Sequence, residues 1–124
     1  MEQNVNYKML FSNLFREKPF KIENYALKLS LEWGENYEKE ISARLLKKFP
    51  NLSKEQLEKY ESLCKNIKQD CWNCIDYDGN QISSKELVEA IKKVFSKYTW
   101  INKSNQNSLQ SQFSYYLWKD GILK

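Results

Sequence analysis

An all-α fold is predicted by this sequence: a single compact bundle or orthogonal array of about five helices, in one domain spanning residues 1–124. Three observations predict it. Apolar residues recur at three- and four-residue steps along almost the whole chain, the period of helices that bury one stripe. Three Gly and two Pro are too few for the turns of a sandwich or barrel. Finally, 41% hydrophobic and 15% aromatic residues suffice for a core in 124 residues and are foreign to a disordered, solvating tail.

The first segment, about Asn6 to Arg16, sets Met9, Leu10, Leu14 and Phe15 at helical spacing and must stop before Pro19. A second helix is expected from about Glu23 to Lys48. Ile22, Tyr25, Ala26, Leu29 and Trp33 form its face, and Tyr37, Ile41 and Leu45 continue it by fours. Leu27, Leu29, Leu31 and Trp33 also alternate with Lys28, Ser30 and Glu32, which is a strand pattern. Helix is the better reading, because the stripe runs on past Gly34 and the intervening residues are helix formers rather than β-branched. Gly34 can kink or break this helix, at a cost of about 1 kcal/mol relative to Ala. Glu35, Glu38 and Glu40 then read as a solvated helix face, without the burial that paired catalytic acids need.

Phe49-Pro50-Asn51-Leu52-Ser53 punctuates the chain. Ser53 and Gln56 make a capping box for the next helix, with Leu52 and Leu57 placed as its hydrophobic staple. Leu57, Tyr60, Cys64, Ile67, Cys71 and Cys74 follow in a three-four rhythm, and Asp76 to Asn80 reads as a turn centred on Asp78-Gly79. Ser83 and Glu86 form a second capping box, opening a helix with Leu87, Val88, Ile91, Val94, Phe95 and Tyr98 inside. The last helix begins near Lys103 or Ser104, buries Leu109, Phe113, Tyr116 and Leu117, and ends at Asp120-Gly121.

The 20 Lys and Arg against 16 Asp and Glu give a net charge of +4, mixed along the chain without a basic run. Arg16 and Arg44 are the only arginines, so the paired donors favoured for reading guanine edges or phosphates are scarce. There is no His, which removes the commonest general base, the usual partner of a Ser or Cys nucleophile, and the commonest zinc ligand. With no nucleophile–base pair and no phosphate-cradling loop either, the expectation is a protein without catalytic activity or cofactor. The longest early apolar cluster, Met9-Leu10-Phe11, is too short for a secretory signal, and three cysteines without one suggest free thiols in the cytoplasm. No apolar run approaches the ~20 residues of a membrane span.

Three constellations invite a functional reading. Cys71-Trp72-Asn73-Cys74 has Cys-x-x-Cys spacing, but it falls at a helix end whose dipole disfavours a thiolate. Cys64 lies seven residues before Cys71, about 10 Å along a helix, too far to share a metal ion with Cys74 unless the helix breaks. All three sit in the apolar stripe and are expected to pack as small hydrophobes. The stretch from Asp76 to Glu86 resembles an EF-hand calcium loop. Asp76, Asp78 and Asn80 match that family's first ligands, Ile82 its apolar anchor and Glu86 its bidentate acid. It is one residue short and lacks the turn glycine between Asn80 and Ile82, so a turn followed by a Ser-capped helix is the simpler reading. In the third, Trp100, Tyr115, Trp118 and Lys119 are candidates for a partner-binding surface.

Leu31-Glu32-Trp33-Gly34-Glu35-Asn36, Lys48-Phe49-Pro50-Asn51-Leu52-Ser53 and Ser111-Gln112-Phe113-Ser114-Tyr115-Tyr116-Leu117-Trp118-Lys119-Asp120-Gly121 resemble signatures of a poorly characterised family of small all-helical bacterial proteins. The resemblance implies a helical fold and a bacterial origin, and it carries over no functional residue. The leading expectation is therefore a protein–protein interaction module, an adaptor, regulator or immunity-type partner. A nucleic-acid-binding helix-turn-helix in residues 83–119 is the alternative, and it requires Lys85, Lys92, Lys93, Lys97, Lys103 and Lys119 on one face. The calcium loop is the third.

Overall fold

A computed structural model describes residues 19–76 and 79–124. Among the described residues there are five α-helices: α1 (Lys21–Ser30), α2 (Ser42–Lys48), α3 (Lys54–Cys74), α4 (Ser84–Lys97) and α5 (Lys103–Lys119). A short 3-10 turn, Gly34–Asn36, lies between α1 and α2. The helix expected at Asn6 to Arg16 lies outside the described residues. The long α3 is the hub, packing on α1, α2 and α4, while α5 closes the array against α1 and α4. Every helix feeds the same core: Leu27, Leu45, Ile67, Ile91, Leu109 and Phe113 are all buried. Among the described residues no helix is long and apolar enough to cross a membrane.

The helix starts form as their sequences dictate. Ser53 Oγ accepts from Gln56 N–H at 3.1 Å while Gln56 Oε1 accepts from Ser53 N–H at 2.8 Å, a reciprocal cap for α3. Ser83 and Glu86 do the same for α4, at 3.1 and 3.0 Å. Asn102 caps α5 through its side-chain oxygen, 2.8 Å from Asn105 N–H. At the other end Gly121, with φ +76°, lets the chain fold back. Ile122 N–H reaches Leu117 O at 2.8 Å and Gly121 N–H reaches Trp118 O at 3.0 Å, the paired bonds of a Schellman stop. The tail then lies along the loop before α4, where Ile82 N–H donates to Ile122 O (2.8 Å) and Ile82 O accepts from Lys124 N–H (2.9 Å).

The continuous helix expected from Glu23 to Lys48 is not formed. Helix α1 stops at Ser30, the chain turns through Gly34 at φ +81° and Glu38 at φ +60°, and helix resumes only at Ser42. The reason is tertiary. The carbonyls at the end of α1 are met by side chains from elsewhere: Leu29 O, which also accepts from Glu32 N–H (3.3 Å), by Arg44 (3.2 Å), Ser30 O by Lys68, and Leu31 O by Gln112. Leu31 stays buried with Leu27 and Leu29, whereas Trp33, expected on the buried face, is 51% exposed. Glu35, Glu38 and Glu40 are exposed as expected, but on this irregular segment rather than on a helix.

Candidate functional site

The break between α1 and α2 creates the most distinctive surface among the described residues. Trp33 leaves α1 in an extended conformation and stacks on Tyr37, their rings 5.2 Å apart and within 10° of parallel. Helix α5 presents Tyr115 edge-on to Trp33 at 5.5 Å, and Trp118 follows Tyr115 at 6.2 Å. Trp72, from the last turn of α3, stacks on Tyr116 at 5.6 Å and meets Phe113 at 4.8 Å. Three separate segments thus supply one connected field of rings. Phe113 is buried beneath it, while Trp33, Trp72 (40%), Tyr115 (42%) and Trp118 (65%) are substantially exposed.

A polar thread anchors this field to the core. Tyr37 Oη donates to Tyr116 Oη at 2.9 Å, Tyr116 Oη donates to Gln112 Oε1 at 3.1 Å, and the buried Gln112 amide donates to Leu31 O. Burial, reinforced by the hydrogen bond with Tyr37, pushes the Tyr116 phenol well above its ordinary pKa. A cavity of about 210 Å³ lies beside Tyr37, Trp72 and Tyr116, edged by Glu38, Lys68, Lys119 and Asp120. Desolvation lowers the pKa of Lys68, whose ammonium is turned toward Ser30 O. Among the described residues, the indole N–H groups of Trp33, Trp72 and Trp118 and the phenol of Tyr115 make no hydrogen bond within the protein.

Of the residues singled out from sequence, Tyr115, Trp118 and Lys119 belong to this surface. Trp100 does not. It is half-buried between Phe20 (6.1 Å) and Tyr98 (6.5 Å), before the start of α5. Lys103 and Tyr115 alone are about 18 Å apart along that helix. Trp100 lines a different groove, of about 680 Å³, between the beginnings of α1 and α5. The polar side chains there satisfy one another: the Asn105 amide donates to Asn24 O (2.9 Å) and Oδ1 (3.1 Å), and the Asn24 amide to Trp100 O (3.0 Å). The aromatic field is the better candidate, because its polar atoms are left over. Sequence reasoning missed Trp33, Tyr37 and Trp72. The only available signal was Gly34, since a break there releases the rings on either side from a helical stripe.

Cys64 and Cys71 are buried free thiols and Cys74 is half-buried at the edge of the core. Burial pushes Cys64 up to about 11 and Cys71 to about 12 and also raises Cys74, so none is an activated nucleophile. Among the described residues no group of three or more His, Cys, Asp or Glu is placed to hold a metal ion. In the loop resembling a calcium site, Asp78 lies outside the described residues and Asp76 and Asn80 are exposed. Glu86 turns back onto Ser83 N–H through Oε1 to cap α4, and that hydrogen bond lowers its pKa.

The helix-turn-helix alternative names six lysines, Lys85, Lys92, Lys93, Lys97, Lys103 and Lys119. Lys97 is paired with Asp70 at 2.9 Å, and Lys103 and Lys119 stand at opposite ends of α5, about 24 Å apart along its axis. No protein-family model, no curated protein and no solved structure matches the chain.

Proposed function

We propose that this chain is a non-catalytic, cytoplasmic protein–protein interaction module whose docking surface is the aromatic field around Trp33, Tyr115 and Trp118, with Trp72 and Lys119 at its margins. One observation carries the reading: large exposed rings from three segments form a connected, buttressed surface. Exposed Trp and Tyr are the residues that dominate interfaces, since each buries a large rigid area at little entropic cost. The thread from Tyr37 through Tyr116 and Gln112 holds these rings in place before any partner arrives, which reduces the ordering cost of association. Three free cysteines suit a reducing compartment.

The test is affinity purification of the full chain from its native cell, beside Trp118→Ala and Tyr115→Ala. The expected result is a protein recovered with the wild-type chain and lost with both variants, whose circular dichroism and unfolding midpoints are unchanged. Recovery of the same protein with both variants, or of nucleic acid lost at moderate salt, overturns the proposal.

A further inference from the structure

Resting on that reading, we propose that the partner engages the aromatic field through a proline-rich segment in polyproline II conformation, flanked by Lys or Arg. The polar complement of the field points to this chemistry. Its exposed rings present apolar faces together with hydrogen-bond donors: the indole N–H groups of Trp33, Trp72 and Trp118 and the Tyr115 hydroxyl, all without partners among the described residues. A fitting partner offers flat apolar surface and acceptors without demanding acceptors in return. A proline-rich helix does this, because its backbone lacks N–H groups, its carbonyls project outward unsatisfied, and its rings pack against aromatic faces. It is also stiff before binding, matching a surface that is itself braced.

The charge at the border selects the flanks. The segment carrying Trp33 and Tyr37, residues 32–40, holds four glutamates and one lysine in a chain whose net charge is +4. Arg44 neutralises Glu32 at 2.6 Å, leaving Glu35, Glu38 and Glu40 exposed against Lys39, while at the other margin Lys119 stands beside Asp120 and Lys68 is turned to Ser30 O. This acidic edge attracts a cationic residue beside the prolines and repels the phosphates of a nucleic acid that might otherwise stack on the same rings.

Calorimetry with the full chain tests this. The probes are a synthetic peptide of about ten prolines ending in Arg, the same peptide without Arg, an Arg-tagged Gly/Ser peptide of equal length, and oligo(dT). The tagged proline peptide should bind more tightly than the untagged one, and the Gly/Ser peptide and oligo(dT) should not bind. Trp118→Ala should weaken the proline peptide about tenfold or more, and Trp33→Phe, which keeps a ring but removes the indole donor, should weaken it less. Glu35→Gln with Glu38→Gln should erase the advantage of the Arg tag and leave the untagged peptide unaffected. Equal binding of the Gly/Ser peptide, proline binding indifferent to Trp118→Ala, preferential binding of oligo(dT), or self-association of the chain that buries the rings overturns the proposal. If neither proline peptide binds while Trp118→Ala still severs the native partner, the polyproline chemistry fails and the docking surface stands. If Trp118→Ala leaves the partner bound, both fail.

Discussion

Helix α2 has seven residues, and its N-cap, Ile41, has no side-chain acceptor to offer. Glu61 of α3 takes over that role: its Oε2 accepts from Ile41 N–H (2.7 Å), Ser42 N–H (2.8 Å) and Ser42 Oγ (2.8 Å). One carboxylate satisfies two backbone donors at a helix start and adds the negative charge that such a start favours. Glu61→Ala strands those donors in a half-buried position. It should lower the free energy of unfolding by about 1–3 kcal/mol, with Glu61→Gln falling between the variant and the parent. Urea unfolding followed by circular dichroism measures this. An unchanged midpoint would mean that packing alone holds α2.

At the scale of elements, α3 and α4 are linked at their surface by Asp70, which accepts from Tyr98 Oη at 2.5 Å and from Lys97 Nζ at 2.9 Å. The bond from Tyr98, and then that from Lys97, hold the Asp70 carboxyl below its usual range. A carboxyl whose folded pKa is depressed contributes stability that is complete above its unfolded value, about 3.9, and is lost as pH falls through the lower folded value. Asp70→Asn should therefore be less stable than the parent at neutral pH and show a flatter acid limb, the two converging once pH falls below the depressed folded value. Urea midpoints at stepped pH read this directly, and parallel curves for the two proteins would rule out the linkage. The α1–α2 break is also settled between elements, because Arg44, Lys68 and Gln112 come from three different helices to occupy the carbonyls that a continuous helix would have used.

Across the whole molecule, α5 divides its aromatic residues between two tasks. Phe113 fills the core at 1% exposure, while Trp118, five residues on, is 65% exposed. Phe113→Ala should cost about 3–5 kcal/mol of stability, whereas Trp118→Ala should stay within about 0.5 kcal/mol of the parent. Thermal and urea unfolding compare the two, and a comparable loss from both would place Trp118 in the structural core and remove the basis for the docking surface.

The helix starts were legible because each is local. Ser53 with Gln56, Ser83 with Glu86 and the stop at Asp120-Gly121 need only residues within a turn of one another, and all three formed as read. The apolar rhythm likewise told which side of α3, α4 and α5 would be buried. The sequence by itself therefore determined the all-helical class, the three later helices and the inward placement of Cys64 and Cys71. Only the tertiary structure decided that the helix would stop at Ser30, ahead of the turn at Gly34, and turn Trp33 outward to meet Tyr115 of α5. Glycine disfavours an unbroken helix by only about 1 kcal/mol relative to Ala, too little to settle the matter alone. Contacts with residues 15 to 81 positions away, from Arg44 to Gln112, act in the same direction and fix the break.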